Sequence, residues 1–155
     1  MRKSILVTVA AAIAAVASPQ VAIAHGGNPI VETVVVADAD AVPFEGPCVA
    51  GLGTATLDFR NVFHITEFAD GDVAITSNEA GTFTFVPDDP AQPSSSGRYR
   101  TGFHSSFTQN AGVDTSVLIV VGETQTGEVV RFQIRSHFTF ANGELRVDHF
   151  DVNCA

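Results

Sequence analysis

The sequence predicts an all-β domain, a single antiparallel meander forming a small barrel of about eight strands, with a β-sandwich as second choice. Three observations carry this. Apolar and polar residues alternate with period two over long runs. β-Branched and aromatic residues dominate, whereas beyond residue 24 leucine occurs only at 52, 57, 118 and 145, a composition suited to pleated, half-buried surfaces. Clusters of Gly, Asn, Asp and Pro punctuate the chain about every dozen residues, the spacing of short strands joined by tight turns.

The first 24 residues read differently. Arg2 and Lys3 precede an uncharged apolar run from Ile5 to Val16, then Ser18-Pro19-Gln20 and the tripeptide Ala22-Ile23-Ala24. A positive start, a short apolar run and a small-x-small site describe a secretory signal peptide cleaved after Ala24. A spanning helix needs about 20 apolar residues, and Pro19 and Gln20 interrupt this one, so no stable membrane anchor is expected. The expected organisation is a signal peptide over 1–24, an N-terminal segment with the first strand over 25–44, and a β-barrel domain over 45–155. Beyond residue 24 the chain has six arginines, no lysine and seventeen acidic residues, a net charge of −11. Such a surface repels nucleic acid and anionic membranes. The sequence sets no oligomeric state.

Strands are expected near 31–37, 48–59, 61–68, 72–76, 82–86, 97–108 and 115–121, with a hairpin over 128–153. From Ala55 the odd positions read Ala55, Leu57, Phe59, Asn61, Phe63, Ile65, with Thr, Asp, Arg and His between them. Tyr99, Thr101, Phe103, Ser105 and Phe107 alternate with Arg98, Arg100, Gly102, His104 and Ser106. Val130, Phe132, Ile134, Ser136, Phe138 and Phe140 alternate likewise with Arg131, Gln133, Arg135, His137 and Thr139. One apolar and one wet face per strand is the pattern of antiparallel sheets. Turns are expected at 70–72, 77–81, 110–112 and 126–127, and 87–97 reads as the longest loop. Asn142-Gly143 is the strongest hairpin signal, because both positions tolerate positive φ.

Cys48 and Cys154 are the only cysteines. In an exported chain without a CxxC spacing they are expected to form one disulfide, closing a loop of about 105 residues worth about 4 to 5 kcal/mol in the chain-entropy account.

Three constellations bear on function. If Asn142 and Gly143 are the two turn residues, Phe140 faces Leu145, Phe138 faces Val147 and Ser136 faces His149. Ser136, His149 and Asp151 then share a face as nucleophile, base and carboxylate. No nucleophile elbow or oxyanion motif accompanies them, and a β-bulge near Asp148 would turn Phe150 and Val152 inward instead. Cleavage after Ala24 makes His25 an N-terminal histidine, whose amine and ring nitrogen suit Cu(II) with a second imidazole from His64, His104, His137 or His149. Otherwise no cofactor is called for. Phe59, Phe63, Phe103, Phe107, Phe132 and Phe138 fall on inner faces, where they line a cavity for a small apolar ligand or simply pack it.

Several of these features resemble known groups. Ser136-His137-Phe138-Thr139, Asn142-Gly143, Cys48 and Cys154 resemble a group of small secreted β-rich proteins of high-GC Gram-positive bacteria, over about residues 45–155. That resemblance implies a secreted β-rich domain and carries no activity. A secreted eight-strand meander is similar, at the level of fold, to lipocalin-type and allene-oxide-cyclase-type barrels, dirigent proteins included. His25-Gly26 resembles the mature start of lytic polysaccharide monooxygenases and copper-carrier sandwiches, but this chain has no Trp and only Tyr99. The leading expectation is an extracellular, non-enzymatic binding module for a small apolar ligand. The alternatives are an N-terminal-histidine copper protein, a cyclase or isomerase, and an envelope or matrix interaction protein.

Overall fold

A computed structural model describes residues 28–155 apart from 47, 49, 50, 109 and 143; the expected leader and His25 lie outside the described residues. Among the described residues seven strands run as β1 (Ile30–Glu45), β2 (Leu52–Glu67), β3 (Val73–Pro87), β4 (Ser95–Phe107), β5 (Ala111–Thr124), β6 (Val129–Ala141) and β7 (Glu144–Cys154). They form one antiparallel sheet in sequence order. The all-β meander is therefore as expected, in fewer and longer strands.

The difference has a local cause. Residues 77–81 were expected to turn, yet they lie within β3 and pair on both sides. Gly81 is a strand glycine, not a turn glycine: a Cβ there would meet the Asp58 carbonyl oxygen. The runs 48–59 and 61–68 likewise merge through Arg60 and Asn61 into β2. The long loop is shorter than expected, since strand continues to Pro87 and resumes at Ser95. The turns at Gly71 and Gly127 hold, both at positive φ, and Asn142 adopts φ 53° in the last hairpin.

A single sheet with one apolar face must cover that face with itself. Here the sheet curls. Phe44 of β1 reaches Phe85 of β3 edge-on at 6.1 Å and stacks on Phe132 of β6 at 6.4 Å. Around them Ala55, Phe83, Tyr99, Val120 and Val130 are buried. Cys48 bonds Cys154, tying the β1–β2 connection to the end of β7. Glycines make the curl possible. Gly97 and Gly122 face each other across β4 and β5, and a Cβ on either would strike the backbone of the other strand. The Phe83 ring lies over Gly97 and the Phe85 ring over Gly53, so aromatic faces fill the room the missing side chains leave.

The sheet is not closed into a barrel: β1 and β7 share no ladder. The free edge of β1 shows why one half resists pairing. The Ala39 and Ala41 amides donate to the carboxylates of Asp38 and Asp40 at 2.8 and 2.7 Å. Odd positions of β1 therefore aim their amides away from β2, and Pro43, in the same phase, has none to offer. Charge and proline are the usual means of blunting an edge.

Removing the cross-link with C48S/C154S should lower unfolding free energy by about 4 to 5 kcal/mol, read by denaturant titration against the oxidised protein. Gly122→Ala should cost about 1 to 3 kcal/mol as an overpacked site, read the same way.

Candidate functional site

Facing residues of an antiparallel ladder share a face, so the inner face can be followed rung by rung. Near the disulfide a rung runs Phe59, Gly81, Tyr99, Val120, Phe132. The next is Asn61, Glu79, Thr101, Leu118, Ile134. Then come Phe63, Ser77, Phe103, Ser116, Ser136, and after them Ile65, Ile75, Ser105, Asp114, Phe138. The interior thus begins greasy at the disulfide end and gains polar groups away from it.

Those polar groups are joined. Ser77 Oγ donates to Asn61 Oδ1 at 3.0 Å, and Asn61 Nδ2 donates to Glu79 Oε2 at 2.9 Å. Tyr99 Oη donates to Glu79 Oε1 at 2.8 Å. Both oxygens of Glu79 are thereby engaged, a geometry that holds its carboxylate and keeps the phenol protonated. Burial raises the Tyr99 pKa well above the ordinary phenol value, and the Glu79 hydrogen bond and the charges of Glu79 and Asp58 add to the effect. The Ser116 and Ser136 hydroxyls bond each other at 2.7 Å.

One step further out the accounting fails to close. Ser105 is fully buried and faces Asp114, yet Ser105 Oγ and Asp114 Oδ1 are both buried without a hydrogen-bond partner. Unsatisfied buried polar atoms cost about 1 to 3 kcal/mol each. Two on opposed residues call for a donor from outside the chain.

The six phenylalanines divide. Phe132 is buried in the core and Phe59 packs against it, so these two are packing residues. Phe63, Phe103 and Phe138 are half-buried, and Phe107 is 42% exposed. The Ser136–His149–Asp151 constellation is not assembled. Phe140 does face Leu145, but the register slips between Thr139 and Phe140. Ser136 then faces Phe150, His149 faces His137 and Asp151 faces Arg135. Ser136 is on the inner face while the other two are on the outer one. His64, His104 and His137 also lie on the outer face, in different strands. His64 Nδ1 pairs with Thr33 Oγ1 at 3.0 Å and His137 Nδ1 with Thr115 Oγ1 at 2.9 Å. No group of His, Cys, Asp or Glu suited to a metal occurs among the described residues. The expected disulfide is formed.

A cleft of about 160 Å³ lies at the disulfide end, bounded by Cys48, Phe85, Gln92, Pro93, Ser95 and Val130. Ligand pockets usually span about 300 to 1,000 Å³, so this one suits water rather than a lipophilic molecule. Alternation places Ser105 on an inner face, whereas Asp114 stands out only through its partner across the ladder.

No protein family, characterised protein or solved structure matches this chain.

Tyr99 is the only tyrosine and there is no tryptophan, so phenolate absorbance near 295 nm reads one group. A pKa raised by folding stabilises the fold fully below the unfolded value of about 10, and that contribution is lost as pH rises toward the folded value. The expected result is no phenolate at pH about 10, then ionisation together with loss of the β circular dichroism signal. Glu79→Gln should bring ionisation to lower pH.

Proposed function

We propose that this protein is a secreted binding module for a small apolar ligand that carries a hydroxyl or amine donor. The observation that carries the reading is the unpaired Ser105–Asp114 couple on an inner face whose Phe63, Phe103 and Phe138 remain half-exposed. A carboxyl Oδ1 without a partner is met by a hydrogen-bond donor, which the ligand supplies. Its apolar body lies on the phenyl rings and excludes water from the couple. Export through the 1–24 leader accords with the intramolecular disulfide, a bond that persists in oxidising compartments. No helix among the described residues is long and apolar enough to cross a membrane.

Native mass spectrometry of protein recovered from the culture medium of its own host tests this. A defined lipophilic adduct is expected, and repeated adduct-free spectra would count against the reading. Asp114→Ala should weaken retention of the adduct by about tenfold or more, the worth of one charge-assisted hydrogen bond. Stability should hold or rise, because an unsatisfied buried group is removed. A purely structural aspartate would show the reverse, lost stability with the adduct retained.

A further inference from the structure

The outer face of β4, β5 and β6 gathers charge that the chain as a whole does not have. Following the rungs, Arg98 faces Val121, which faces Arg131; Arg100 faces Ile119; and Val117 faces Arg135. Four of the six arginines beyond residue 3 therefore flank one aliphatic column on β5. All four are exposed. None of the four guanidinium groups has an ion pair or hydrogen bond among the described residues, where the one ion pair is Arg146 with Glu144 at 3.0 Å. On this outer face the three strands present a single acid, Glu123, and Asp151 of β7 faces Arg135 across the ladder. In a chain of net charge −9, unpaired cations so concentrated ask for an external anion.

We infer that this face docks reversibly on an anionic phospholipid surface. Guanidinium forks match phosphate oxygens. The column between the arginines selects a bilayer over a soluble polyanion. Val121 is 48% exposed and Val129, beside it on the same face, 73%, and burying them is rewarded only where headgroups give way to acyl chains. The outer face of a curled sheet is convex, so with a plane laid along β5 the arginines on either side extend down to the headgroups. The net negative charge does not forbid this. The Debye length is about 8 Å at physiological salt, so a bilayer touching β5 sees the nearby arginines and is screened from acids on the far side.

Sedimentation with vesicles tests the inference on protein recovered from culture medium. Binding is expected to vesicles of mixed phosphatidylglycerol and phosphatidylcholine, to be absent from pure phosphatidylcholine, and to fall as salt rises. R98Q/R131Q should weaken it about thirtyfold, at roughly fivefold per arginine near an anionic surface. R60Q/R146Q carries the same charge change elsewhere and should leave binding nearly unchanged; circular dichroism checks that both variants fold. Failure to bind anionic vesicles, equal losses in the two variants, or equally tight binding to inorganic polyphosphate that displaces the vesicles would overturn the inference.

Discussion

A lone sheet has no second layer to hide its apolar face, and that constraint shapes the rest of this molecule. Two-layer folds bury side chains against a neighbour; among the described residues β1 to β7 have only one another. The sheet has to bend until its first and later strands touch. Phe44 makes that touch, reaching Phe85 and Phe132 together, and the Cys48–Cys154 bond fixes the end at which it happens. Bending at this sharpness brings neighbouring backbones too close for side chains, hence the facing pair Gly97 and Gly122.

Fixing one end leaves the other less covered, and the inner face is graded to match. Where the wall is tight the residues are aliphatic and aromatic. Farther from the disulfide, the Ser77–Asn61–Glu79–Tyr99 chain satisfies polar groups internally, and beyond it Ser105 and Asp114 are left unsatisfied. Ser105 is nonetheless the most enclosed of these residues, and Ser95, beside the disulfide, is likewise buried with an unpartnered hydroxyl. The open seam is consistent with the same plan, since Asp38, Asp40 and Pro43 blunt the β1 edge at its disulfide end.

Much of this was legible in the sequence. Alternation assigned Phe59, Phe63, Phe103 and Phe132 to the correct face, and the two cysteines paired as expected. Asn142-Gly143 located the last hairpin. Three things were not legible, each for a physical reason. Gly81 satisfies both a turn and a tightly bent strand, and only the Asp58 carbonyl beside it decides. Alternation left two pairings of β7 open, and the ladder takes the one with a bulge: Arg146 is skipped between Leu145 and Val147, so Phe150 and Val152 turn inward and His149 and Asp151 move to the other face from Ser136. The arginine column pair needed the order and register of three strands; each strand alone reveals only a wet face.

The cross-link also divides the chain topologically. From Cys48 to Cys154 the backbone and the sulfur bridge form a covalent ring that contains β2 to β6 whole and β7 to its final residue. A protease that cuts once in the exposed 88–94 connection opens the ring but releases no fragment, since both new ends stay on one molecule. Only β1 lies outside, held by its ladder to β2 and by Phe44. Of the described strands it is the one that a single cut could set free.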